Sequence, residues 1–103
     1  MVFIETPTFT RIITSLLTDD ELRDMQSKLI AEPDAGDLIA HGGGIRKLRW
    51  KKQGTGKSGG IRVIYYWVVD EDQILMLIAY PKSAKDNLSD AETATLKKLV
   101  KEL

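Results

Sequence analysis

A chain of 103 residues is the length of one domain; the absence of cysteine excludes disulfides and thiolate metal sites, and with a single histidine, His41, neither a histidine metal cluster nor a Ser-His triad is expected. Fifteen Lys and Arg against fifteen Asp and Glu give a net charge of zero. The longest apolar run, Val63 to Val69, is far short of the ~20 residues that cross a bilayer, and the opening VFIETPTF lacks the basic-then-apolar pattern of a signal peptide, so a soluble cytoplasmic protein is expected.

In chain order, Val2 to Ile4 reads as a short apolar strand. Pro7 sits where a helix begins, and Phe9, Ile12, Ile13, Leu16 and Leu17 follow at the spacing of one helical face. Thr18-x-x-Glu21 is a capping box that opens a second helix with Leu22, Met25, Leu29 and Ile30 as its apolar side; Pro33 and Gly36 end it. The two helices are expected to form a hairpin. His41-Gly42-Gly43-Gly44 is a flexible joint. From Ile45 to Trp50 the residues alternate, with Arg46, Leu48 and Trp50 on one face and Lys47 and Arg49 on the other. Ile61 to Val69 is β-branched and aromatic, a central strand, and the acidic turn Asp70-Glu71-Asp72 joins it to a third long strand, Ile74 to Tyr80. Ser89-x-x-Glu92 caps a last helix with Leu96, Leu99, Val100 and Leu103 on one side. The order β-α-α-β-β-β-α predicts one α+β domain over residues 1–103: a small antiparallel sheet with an N-terminal helical hairpin and a C-terminal helix.

Charge is segregated along the chain. From Leu38 to Val69 there is no acid, yet Arg46, Lys47, Arg49, Lys51, Lys52, Lys57 and Arg62 all fall there. Cations without local partners make an anion-seeking surface. Within this stretch GTGKSGG, Gly54 to Gly60, imitates a nucleotide-binding loop. A P-loop needs glycine where Lys51 stands, and both it and the dinucleotide fingerprint need a helix to follow; the sequence enters the strand IRVIYYWVV instead. The segment Lys51 to Gly59 is therefore a long hairpin tip. Pairing across it brings Arg62 near Lys47 and Arg49, which are spaced ~6.7 Å apart along their strand.

Phosphate recognition alone needs only charge. Cleavage of RNA needs a base for the 2′-hydroxyl, cations for the pentavalent phosphorane and an acid for the leaving oxygen. Arginine stabilises charge but hardly acts as base. A lysine among like charges and partly buried has a physical route to general-base work, and Lys47 beside Arg49 and Arg62 is the candidate for it. Lys82, in YPKSAK after the third long strand, is the candidate acid or a second phosphate contact. Tyr66 and Tyr80 carry hydroxyls that could stand at the edges of the site but read first as core or sheet-packing residues, and His41 reads as an exposed loop residue. No cofactor or metal is called for.

The segments GGGIRKLRW, the Gly-Lys-rich loop, GGIRVIYYWV and LIAYPKSAKDNLS resemble the RelE/HigB superfamily of bacterial toxins, and its HigB-like branch in particular, over nearly the whole chain. The resemblance implies the toxin of a type II toxin-antitoxin system. It further implies a ribosome-dependent, metal-independent mRNA endonuclease acting in the decoding A site, neutralised by a cognate antitoxin of the DNA-binding, helix-turn-helix type. It places Lys47 and Arg49 at the family's cationic pair, Arg62 at its transition-state arginine and Lys82 at the basic residue after the last strand. From their charge alone, Arg46, Lys51, Lys52, Lys57 and Lys85 are expected to be further RNA contacts. Some relatives carry a catalytic tyrosine beyond that strand; SAKDNLSDAE has none, leaving Lys82 or Lys85 as the donor. Two other classes compete: a gyrase poison that inhibits by binding, and a nucleic-acid-binding module without toxicity.

Overall fold

The computed structural model describes residues 1–51 and 60–102. Eight elements follow one another: β1 (Val2–Glu5), α1 (Pro7–Leu16), α2 (Asp19–Ala31), β2 (Asp37–Leu38), β3 (Arg46–Trp50), β4 (Ile61–Val68), β5 (Gln73–Pro81) and α3 (Asp90–Lys101). Most of the hairpin tip read from Lys51 to Gly59, with Lys52 and Lys57, lies outside the described residues, as does Leu103.

Local chemistry sets each helix start. Thr6 accepts the Phe9 amide at 3.0 Å ahead of Pro7. Both capping boxes form: Thr18 with Glu21, and Ser89 with Glu92, each exchanging a side-chain and a backbone bond of 2.9 to 3.2 Å. A cap of this kind contributes about 1 kcal/mol. The apolar faces are narrower than the spacing implied. In α2 the buried residues are Met25 and Leu29, while Ile30, one step further round, is 54% exposed. In α3, Leu96 and Val100 pack on the sheet and Leu99 turns outward.

The strands form one sheet in the order β1-β5-β4-β3-β2. The β2–β3, β3–β4 and β4–β5 pairs are antiparallel, as expected of a small antiparallel sheet, and β1 adds a parallel edge beside β5. Parallel partners cannot be joined by a tight turn, and here the chain from β1 to β5 runs through α1, α2, β2, β3 and β4. The N-terminal ammonium sits 2.9 Å from Asp72 in the β4–β5 turn, and Thr6 bonds Met76 and Leu77 at the other end of β1. The strand β2 was not expected; two residues carry no periodicity to read.

Strand alternation divides the core in two. Leu48, Ile61, Val63, Tyr65, Ile74, Met76 and Ala79 face α1 and α2, meeting Phe9, Ile13, Met25 and Leu29. Ile45, Ile64, Leu75, Leu77 and Tyr80 face the other way, under α3. The HGGG segment is a turn closed by bonds from Ile39 to Ile45 and from Gly42 to Ile39. Gly44 takes φ 107° there, and a Cβ would meet the Tyr66 ring at 2.9 Å.

Tyr65 ties the sheet to the chain leading into β2. Its hydroxyl donates to Pro33 O at 2.7 Å and accepts from Gly36 N at 2.9 Å. A Cβ on Gly36 would stand 2.8 Å from the Tyr65 ring, so glycine permits the approach. Tyr65→Phe strands a buried amide, at a cost of about 1–3 kcal/mol. Thermal melts are expected to show a loss of roughly 4–8 °C per kcal/mol; an unchanged midpoint would show that the tie is dispensable. Burial raises the Tyr65 hydroxyl above its ordinary pKa of 10.0. Its contribution is therefore complete below that value and is lost as pH rises through the higher folded pKa.

Candidate anion-binding site

The register of β3, β4 and β5 assembles the cations. Arg49 pairs with Arg62 across β3 and β4, Lys47 pairs with Ile64, and Tyr80 pairs with Arg62 across β4 and β5. Lys47, Arg49, Arg62 and Tyr80 thus share the face covered by α3, as alternation predicted for the three cations. Lys47, Arg62 and Tyr80 are buried; Arg49 is exposed.

The expected unpaired positive surface is corrected by the structure. Two arginines directly opposed repel unless acids intervene, and the acids come from outside the acid-free stretch. Arg49 Nη1 lies 2.6 Å from Asp37 of β2. Arg62 Nε and Nη2 lie 3.2 and 3.0 Å from Asp86 Oδ1, in the loop after β5. Lys47 Nζ donates to Asn87 Oδ1 at 2.6 Å and Asp86 O at 3.4 Å, neither of them a carboxylate oxygen. Three cations against two carboxylates leave the patch positive. The hydrogen bond from Arg62 holds the Asp86 carboxyl below its usual range, so it is ionised at physiological pH.

Tyr80 is the residue that alternation places here and composition discounted. Its hydroxyl donates to Asp86 O at 3.3 Å. Burial pushes its pKa above 10.0, with Arg62 opposing. Lys85 lies over its ring, Nζ 5.0 Å from the centroid, and pairs with Glu92. That hydrogen bond lowers the Glu92 pKa. A cleft of about 330 Å³ opens beside Lys47 and Arg49, between the Asp37–Ala40 segment and Asn87, Leu88, Asp90 and Thr93 at the start of α3.

The other expected contacts are scattered. Arg46 turns to the opposite face, where Nη1 bonds Gly36 O at 2.9 Å and Asp34 O at 3.3 Å. Lys51 and Lys82 are exposed and, among the described residues, have no ion-pair partner; the Lys82 amide bonds Gly60 O. Tyr66 packs at Gly44 and His41 is exposed in its turn. Sequence reasoning missed Asp37, Asp86 and Asn87. The signal for the last two was the polar DN pair ahead of the Ser89 cap, in a loop that must start beside Tyr80.

The family model described as the RelE toxin of the RelE / RelB toxin-antitoxin system matches residues 1–103. The chain belongs to the RelE toxin family. It is accordingly the toxin of a toxin-antitoxin system, and membership implies a cognate antitoxin as its partner. The mixed α+β architecture of this RelE-family toxin agrees with that fold. Among its described residues no helix is long and apolar enough to cross a membrane.

Proposed function

We propose that this toxin is a ribosome-dependent mRNA endonuclease that cuts in the decoding A site by attack of a ribose 2′-hydroxyl on the adjacent phosphate. The observation that carries the reading is the convergence of Lys47, Arg49, Arg62 and Tyr80 on one sheet face. Arg62 offers two N–H donors to the phosphate oxygens and stabilises the charge that builds on the phosphorane. Lys47 takes the 2′-hydroxyl proton, a task unsuited to arginine. Tyr80 gives its proton to the leaving 5′-oxygen; a phenol holds that proton at neutral pH, and burial raises its pKa further above 10.0. The 2′-oxygen–phosphorus bond forms and the phosphorus–5′-oxygen bond breaks, leaving a 2′,3′-cyclic phosphate and a 5′-hydroxyl. Assigning the acid to Tyr80 fills the place of the tyrosine that the C-terminal segment lacks. Lys82 then serves as a phosphate contact, with Arg49, Lys51, Lys52, Lys57 and Lys85 along the flanking backbone. The cleft beside Lys47 suits a neighbouring nucleoside.

The site of action is the cytoplasm, where mRNA meets the ribosome. An antitoxin of the helix-turn-helix, DNA-binding type would neutralise the toxin by covering this face with acidic residues. Primer extension on translating ribosomes tests the reading: cleavage is expected within the A-site codon and absent on naked mRNA. Arrest of DNA supercoiling without any mRNA cut would point to a gyrase poison instead.

A further inference from the structure

Three site groups share one partner. Asp86 Oδ1 receives both Nε and Nη2 of Arg62, and Asp86 O receives Lys47 Nζ and the Tyr80 hydroxyl. Asn87 Oδ1 receives Lys47 at 2.6 Å. The dipeptide therefore offers three acceptor oxygens, one of them on a carboxylate, to an arginine, an ammonium and a phenol. A phosphodiester offers a comparable set: two anionic oxygens flanked by neutral ones. The occupant is also more exposed than what it occupies. The Asp86 side chain is 55% exposed against 8% for Arg62, and it stands in the loop between β5 and α3 rather than on a strand.

We propose that Arg62, Lys47 and Tyr80 form a phosphate seat that the chain fills with its own Asp86–Asn87, and that a phosphodiester enters by displacing this pair. The proposal rests on reading the face as a phosphodiester site. Asp86 Oδ1 marks where a non-bridging oxygen goes. An incoming phosphate must overcome the carboxylate's attraction for Arg62 and its repulsion of a second anion. Free RNA meets that competition unaided, whereas an mRNA strand held in place against the toxin meets it at high effective concentration. Self-occupancy thus supplies a physical reason for dependence on a presenting surface.

The test separates the seat from the chemistry. Inorganic phosphate is titrated into the full chain while the Arg62 Nε–H resonance is followed by NMR, with Arg62→Ala fixing the assignment. Asp86→Asn and Asp86→Ser remove the charge but keep the backbone oxygen that Lys47 and Tyr80 use. Both are expected to lower the half-saturating phosphate concentration by about fivefold. Asp86→Glu, which keeps the charge, is expected to stay close to the parent protein. An Arg62 resonance that ignores phosphate in the neutral variants, or that needs as much phosphate as before, overturns the proposal. A neutral variant that gains phosphate affinity while no protein cuts mRNA on ribosomes supports the seat and removes the nuclease reading.

Discussion

Arg62→Ala is expected to slow A-site cleavage by about 100- to 1,000-fold, the cost of removing one donor from a preorganised anion site. Arg62 is buried on the central strand β4, with Arg49 opposite on β3 and Tyr80 opposite on β5. No neighbour replaces it: Arg49 is half exposed and held outward by Asp37, and Lys47 presents a point charge rather than a planar two-donor edge. Arg62→Lys should recover only part of the rate for the same reason. The sheet should survive, because the pair that is lost joins Arg62 to an exposed loop carboxylate and not to another strand. Circular dichroism should therefore match the parent protein while primer extension shows little or no cut. Cleavage at the parental rate would remove Arg62 from the chemistry.

Tyr80→Phe separates the assigned acid from its alternatives. A loss of about 100-fold or more in cleavage is expected, within the range for a general acid. The fold should lose under about 1 kcal/mol, because the hydroxyl makes one long bond, 3.3 Å to Asp86 O, while the ring stays in the core. The pH profile adds a signature that a packing role would not give. Burial raises the Tyr80 pKa above 10.0, so the acid form is complete below that value and disappears as pH rises through the shifted one. The parent protein should lose activity along that alkaline limb, and the Phe variant should lack it. Lys82→Ala, on an exposed side chain, should weaken mRNA binding more than it slows the chemical step. A larger fall in rate for Lys82→Ala than for Tyr80→Phe would return the acid to the lysine.

These expectations rest on features of unequal visibility in the sequence. The helix starts were legible because a capping box is complete within four residues, as at Thr18–Glu21 and Ser89–Glu92. The long strands were legible from β-branched and aromatic content. Lys47 and Arg49 could be set on one face by alternation, and antiparallel pairing across the hairpin tip brought Arg62 to their neighbourhood, while the structure fixed the register that sets it opposite Arg49. Ile30 and Leu99 were misread because each sits at the margin of a helical stripe, where about 100° of rotation decides between core and water.

What the amino-acid order determined alone was everything with a short period or a short reach: the caps, the alternation, the acid-free cationic stretch, and the motif sequence that resembles the RelE/HigB toxins. What only the tertiary structure decided was which distant segments meet. It placed β1 parallel at the edge, carried Asp37 to Arg49 on a two-residue strand, brought Tyr80 beside Arg62, and laid Asp86 over Arg62. The reason is that a loop's path depends on the sheet register it leaves and the helix it must enter, and neither is written in the loop's own residues.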